Sequence, residues 1–193
     1  MERNIMWTPW SEPGLEHLHL LPQDGNILAD SIIVGVSNRL PFRLHYKITC
    51  DSHWEVKELS LTLLSGSGKS IKIQADGQGH WYTNKGDPVP SLDGCIDVDI
   101  SATPFTNTLP IGRLELKPGQ SAELLVAYVA IPEMELKPMS QRYTCLALNT
   151  HEGVYRYESV VSGFSAELPV DSDGLVIDYP GLFKRVWQSD VIK

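Results

Sequence analysis

Most of the usual signatures of function are missing from this chain. It has 193 residues and only 3 cysteines, Cys50, Cys95 and Cys145, with no Cys-x-x-Cys spacing. That pattern fits reduced core thiols and opposes a disulfide framework or a zinc site. Basic side chains number 16 against 24 acidic ones, for a net charge of −8, and no Lys/Arg block appears. A surface that tracks nucleic-acid phosphates or docks on anionic lipid heads is therefore not expected. The longest apolar run, Leu124 to Ile131, covers 8 residues, far below the roughly 20 of a membrane-spanning helix. The opening MERNIMWTPWSEPGLEHLHL has no apolar signal core, and no Asn-x-Ser/Thr sequon occurs, so the expected location is cytoplasmic. No linker, repeat or low-complexity stretch divides the sequence, which reads as one domain over residues 1–193.

What the chain does have is alternation with a period of two. In RLHYKITC, Leu44, Tyr46, Ile48 and Cys50 fall on one face and Arg43, His45, Lys47 and Thr49 on the other, as in a half-buried antiparallel strand. The pattern recurs at Leu59/Leu61/Leu63, Ile71/Ile73/Ala75, Ile96/Val98/Ile100, Leu114/Leu116, Leu124/Val126/Tyr128, Tyr143/Cys145/Ala147 and Phe164/Ala166/Leu168/Val170. Turn strings such as SGSGK (65–69), ADGQG (75–79), SLDG (91–94), KPG (117–119), HEG (151–153) and DSDG (171–174) separate these segments. Short strands with short connections predict an almost all-β domain of 12 or more strands, its edges managed by closure or curling of the sheet. No helix of ordinary length is expected; Pro9 to Leu18 and Leu182 to Gln188 are short and carry or adjoin Pro or Gly.

Several motifs tempt and fail. GSGKS at 66–70 has Leu63 where a phosphate loop needs its first glycine, and it leads into the strand-like SIKIQA, so it reads as a hairpin turn. VDSDGLVID (170–178) begins like a calcium loop but lacks the third early oxygen ligand and the closing glutamate, which makes it an Asx-rich turn. His17 and His19 share one face of a probable strand but are only two potential metal ligands. No HExxH, GxSxG or Cys/His/Asn arrangement supports a hydrolase. Neither a metal nor a cofactor is expected, and no catalytic residue is assigned.

Two groups of residues have the right chemistry for a ligand. Asp97 and Asp99 alternate in CIDVDIS, placing both carboxylates on one face, where they could act as acid and base on a sugar or simply face solvent. Tyr46, Trp54, Trp81, Tyr82, Tyr128, Tyr143, Tyr155 and Tyr157 offer flat apolar faces with polar edges, suited to a ligand with both hydrocarbon and hydroxyls, although such residues also build cores. Tyr155 and Tyr157 share a face, with Arg156 on the other. TPFTNTLPIGR (103–113) reads as a loop stiffened by Pro104 and Pro110, with Arg113 where the next strand begins and able to pair with Asp97 or Asp99. YPGLF (179–183) reads as a turn centred on Pro180 and Gly181, pinned by Tyr179 and Phe183.

The strings GCIDVDISATPFTNTLPIGRLEL (94–116) and FSAELPVDSDGLVIDYPGLFKRV (164–186) closely resemble a bacterial family described as "putative glycolipid-binding". LHYKITCDSHWEV (44–56), DGQGHWY (76–82) and QRYTCLAL (141–148) add to the likeness, which spans nearly the whole chain. The resemblance implies a single-domain, mostly antiparallel spiral β-roll or incomplete barrel, similar in shape to carriers that hold lipid chains in a hydrophobic half-barrel. It also implies a glycolipid or lipid as partner. Positions matching the family's pattern are Tyr46, Asp51, Trp54, Trp81, Asp97, Asp99, Asn107, Arg113, Tyr143, Asp171, Tyr179 and Arg185.

The leading expectation is a non-enzymatic protein that binds an amphipathic small molecule inside the roll. Its candidate ligand-binding residues are Tyr46, Trp54, Trp81, Asp97, Asp99, Arg113, Tyr128, Tyr143, Tyr155 and Tyr157. The alternatives are a carboxylate-based enzyme acting on a sugar or lipid conjugate, and an interaction protein whose barrel is filled by its own side chains. The oligomeric state is left open.

Overall fold

The alternation produces long strands whose inward residues are closed off. In β4 (Leu40–Asp51) the residues Phe42, Leu44, Tyr46, Ile48 and Cys50 are all buried. Two tight turns link this strand's neighbours. Asp24–Gly25 joins β2 (Gly14–Gln23) to β3 (Asn26–Ser37), and Asn38–Arg39 joins β3 to β4. All four turn residues have positive φ, between 51° and 79°, the geometry whose twist matches that of paired strands.

The computed structural model describes residues 2–66 and 68–189. Among the described residues, fourteen strands form two curled sheets that together make a half-barrel. The larger sheet is a meander from β1 (Arg3–Pro9) through β2, β3, β4, β5 (Val56–Leu63) and β6 (Ser70–Ala75) to β7 (Trp81–Thr83). The hairpin of β13 (Asp178–Tyr179) and β14 (Phe183–Gln188) extends it beyond β1. The smaller sheet runs β12 (Ser165–Asp171), β11 (Glu152–Ser159), β10 (Glu135–Leu148), β9 (Ser121–Ala130) and β8 (Asp97–Ile100). Only the β8–β9 pair is parallel among the described strands.

The stretch read as a loop is instead helical. A 3₁₀ turn over Phe105–Asn107 leads into α1 (Thr108–Leu114). Pro110 is tolerated because it sits in the first turn, where backbone N–H groups have no intrahelical partner. Left-handed Glu115 ends the helix. Arg113 therefore belongs to the last turn of α1, and Leu114 and Leu116 do not form a strand, correcting both expectations. Gly112 has a packing reason: a Cβ there would come within 2.4 Å of the Trp54 ring.

This helical crossing fills the half-barrel. Leu92, Cys95, Phe105 and Leu109 belong to one core with the inner faces of β1 to β5, and Phe105 stacks on Tyr46 with ring centroids 6.4 Å apart. The middle of the roll is thus packed, and open space remains at its mouth, where the crossing begins beside Ser101, Thr103 and Asn107. A second cluster, including Tyr143, Cys145, Tyr155, Tyr157, Leu168 and Tyr179, lies against the smaller sheet. All three cysteines are free and buried. No helix among the described residues is long and apolar enough to cross a membrane.

The readings of DSDG and YPGLF as turns hold in detail, while that of GSGKS includes Ser67, which lies outside the described residues. Asp171 Oδ1 accepts from the backbone N–H groups of Asp173 (3.0 Å) and Leu175 (3.1 Å), so DSDG is an Asx-type turn. Gly181 has φ 76° at the centre of YPGLF, and the Leu182 N–H closes that turn onto the Tyr179 carbonyl at 2.9 Å.

Candidate functional site

Two adjoining cavities open at the mouth of the half-barrel and share Ser101, Leu182 and Phe183 in their walls. The first, about 270 Å³, lies at one end of the larger sheet, where the inward residues Trp7, Glu16, Ile33 and Phe42 meet Ile131, Leu182 and Phe183. The second, about 390 Å³, lies between the smaller sheet and the β13–β14 hairpin.

Aromatic residues from several elements converge on the second cavity. Tyr128 arrives from β9, Tyr157 from β11, Phe164 from the β11–β12 connection, and Tyr179 and Phe183 from the hairpin. Tyr157 lies 6.1 Å from Tyr179 and 6.2 Å from Phe164 by ring centroids, and Tyr179 lies 6.4 Å from Phe183. These spacings suit edge-to-face and tilted packing. Asp99 brings a carboxylate to the same wall. Its two oxygens accept from Thr106 Oγ1 at 3.0 Å and Gln141 Nε2 at 2.6 Å. Burial raises the Asp99 pKa above the usual carboxylate range, and these two bonds only partly oppose the shift. Asn107 and Thr103 add further polar groups.

The first cavity holds a residue that the sequence reading passed over. In β2 the same period of two that turns His17 outward turns Glu16, Leu18 and Leu20 inward. Glu16 is 3% exposed. Its Oε1 accepts three hydroxyl bonds, from Tyr46 at 2.6 Å and from Ser31 and Thr103 at 2.9 Å each. Its Oε2 is buried and has no hydrogen-bond partner among the described residues. Burial raises the Glu16 pKa to about 7, against the three hydroxyl bonds that favour the anion.

The residues selected from the sequence divide into groups. Asp99, Tyr128 and Tyr157 meet in the aromatic cavity. Tyr143 lies behind it, edge-on to Tyr157 at 5.5 Å and donating its hydroxyl to Asn107 Oδ1 at 2.8 Å. Tyr46 lies behind the other cavity as a donor to Glu16. Trp54 and Tyr155 line a separate groove of about 440 Å³ beside Gly112 and Leu116. Trp81 is a core residue whose indole N–H donates to the Cys95 carbonyl at 2.8 Å.

Asp97 and Arg113 form a buried pair, with Nε and Nη2 donating to the two carboxylate oxygens at 3.1 and 2.6 Å. The pairing named from sequence is therefore present, while the idea of a solvated aspartate face is not: Asp97 is fully buried and is absent from the wall that holds Asp99. Asp97 is tied to Arg113 on α1, whereas Asp99 is tied to Thr106 and Gln141, so the two carboxylates have separate partners. His17 and His19 contact Asn4 and Glu2 respectively, and no group of three potential metal-ligating residues occurs among the described residues. A groove of about 620 Å³ along β14 contains Arg3 and Arg185, but both guanidiniums are already held by Asp171, and Arg3 also by Asp173.

No match emerged among curated proteins. The chain is similar to a DUF1089 family protein from Pseudomonas aeruginosa, known from its crystal structure, at 39% identity and a TM-score of 0.79, over 89% of this chain and 92% of that one. A family model described as "putative glycolipid-binding" matches residues 4–185. With that match covering nearly the whole described fold, the chain belongs to the "putative glycolipid-binding" family.

Proposed function

We propose that this protein binds an amphipathic molecule with a hydroxylated ring, seated in the aromatic cavity. The carrying observation is the convergence of Tyr128, Tyr157, Phe164, Tyr179 and Phe183 around Asp99 and Asn107 in a space of about 390 Å³. Ligand sites are typically concave, largely apolar and supplied with a few oriented polar groups, at volumes of roughly 300–1,000 Å³. A ring's apolar face lies against the tyrosines, while its hydroxyls donate to Asp99 and exchange hydrogen bonds with Asn107. Its hydrocarbon portion covers the apolar rim, where Val161 is 81% exposed and Phe164 and Leu182 are each 41% exposed. The family description supports this chemistry, and no step in the reading requires a catalytic group.

The test is calorimetric titration with octyl glucoside below its micelle concentration. Saturable binding is expected in the wild type, weakened about tenfold by Tyr128→Leu, since an aromatic contact contributes roughly 0.5–1.5 kcal/mol beyond area burial. Tyr128 is only half-buried, so this substitution leaves the fold intact. Absence of saturable binding, or equal binding by the variant, overturns the proposal.

A further inference from the structure

Glu16 marks the neighbouring cavity for a different ligand chemistry. Three hydroxyls converge on Oε1 and none on Oε2. The Thr103 hydroxyl oxygen itself accepts from the Phe105 N–H at 3.0 Å, which directs the Thr103 proton toward Glu16. The arrangement stabilises a carboxylate on one oxygen and leaves the other unsatisfied. A buried acceptor of this kind costs roughly 1–3 kcal/mol, and more when charged. The remaining walls offer hydrocarbon and aromatic surface from Trp7, Ile33, Phe42, Ile131 and Phe183.

We propose that this cavity is a binding site for a small lipophilic amine, whose ammonium donates to Glu16 Oε2 while its hydrocarbon body fills the apolar walls. An ammonium provides both the missing donor and the missing countercharge. An alcohol provides only the donor. Pairing and good hydrogen-bond geometry offset the cost of burying a carboxylate, and Trp7 and Phe42 supply aromatic surface to the cavity wall. The site does not depend on occupancy of the aromatic cavity, whose ligand is recognised by hydroxyls.

Proton control follows from the same geometry. On elements packed against Glu16, the titratable groups facing it or its cavity are Tyr46 from β4 and Glu12 at the outer wall. β1 and β3 contribute Trp7, Ile33 and Ser31, which do not titrate. Burial pushes the Tyr46 pKa well above its usual value, so Tyr46 stays neutral. Glu16, with its pKa raised to about 7, is the inner group that changes charge around neutrality, and the amine stays protonated throughout because aliphatic ammonium groups titrate at about 10.

The probes are cyclohexylamine and cyclohexanol, titrated into the full-length protein and followed by backbone amide NMR shifts. At pH 8 the amine should bind at least tenfold more tightly than the alcohol, and Glu16→Gln should abolish that preference. In the wild type, amine affinity should fall between pH 7 and pH 5 by close to tenfold per pH unit. This second measurement needs no variant. Tyr128→Leu should leave amine binding unchanged, which separates this site from the aromatic one. Equal affinities for amine and alcohol, a pH-independent amine affinity, or full amine binding by a folded Glu16→Gln variant would each overturn the proposal.

Discussion

Asp97, where α1 crosses β8, is wholly buried and accepts two bonds from the Arg113 guanidinium, whereas Glu16, at the mouth of the half-barrel, is nearly as buried and receives only hydroxyl bonds. Around the Asp97 carboxylate nothing is left unpaired among the described residues, although a groove lined by Trp54 and Gly112 opens on the far side of α1. The carboxylate's charge is matched, Trp54 packs on Gly112, and Phe105 and Leu109 fill the space between the sheets. The mouth has two cavities, a carboxylate held by neutral donors at Asp99, and a carboxylate oxygen without a partner at Glu16. Burial of an acid therefore does not by itself mark a site. An acid that the fold leaves incompletely paired beside open space is the informative one.

Breaking the closed side should have the largest effect. Arg113→Met leaves the Asp97 carboxylate buried and unpaired, and a loss of about 3–5 kcal/mol is expected in urea unfolding. The double variant Asp97→Asn/Arg113→Met should recover part of that loss, because no charge is then stranded. If the single variant cost less than about 1 kcal/mol, the contrast between the two regions would fail at its stronger end.

The open side should show itself through pH. The folded-state pKa of Glu16 is raised from 4.5 to about 7, so the unfolded chain ionises first as pH rises. Below about pH 4.5 both states hold the proton and Glu16 imposes no penalty. Between that point and pH 7 stability drains away, and above pH 7 the loss levels off, on the order of 3 kcal/mol. Urea unfolding of wild type and Glu16→Gln at pH 5 and pH 8 isolates this contribution, since other titrating groups cancel in the difference. The wild type should lose stability relative to the variant as pH rises; an unchanged difference would mean that Glu16 titrates normally.

Much of this architecture was legible because period-two alternation survives wherever one face is buried: Leu44 through Cys50 and the pair Tyr155/Tyr157 lie as their spacing predicts. Helix α1 was not legible, since Pro104, Pro110 and Gly112 lie close together in the sequence and read as a loop. Pro110 is admitted by its place in the first turn, and Gly112 by the indole against it, a contact from a residue far away along the chain. Asp99, Tyr128 and Tyr157 were recognised as ligand-type residues, but their convergence depends on how the smaller sheet meets the β13–β14 hairpin, which no local pattern records. Glu16 was within reach. Once His17 and His19 are placed on the outer face of a strand, Glu16, Leu18 and Leu20 must share the inner one, and an acid in that series is a signal that the two histidines obscured.

The finest test separates residues that form the wall of the aromatic cavity from those that support it. Tyr143 touches Tyr157 from behind and gives its hydroxyl to Asn107 Oδ1, while Asn107 Nδ2 donates to the Pro104 carbonyl at 3.0 Å. Tyr143→Phe keeps the ring and removes that one donor, leaving a buried amide oxygen to seek another, so a loss of about 1 kcal/mol is expected in urea unfolding. Octyl glucoside affinity should stay within about a factor of two, because the retained ring still braces Tyr157 and the cavity wall is unchanged. Tyr128→Leu should do the reverse, lowering affinity with little effect on the unfolding midpoint. If Tyr143→Phe weakened binding as strongly as Tyr128→Leu, support and wall would be one cooperative unit, and the ligand would be reading the Tyr143–Asn107 hydrogen bond through Asn107 itself.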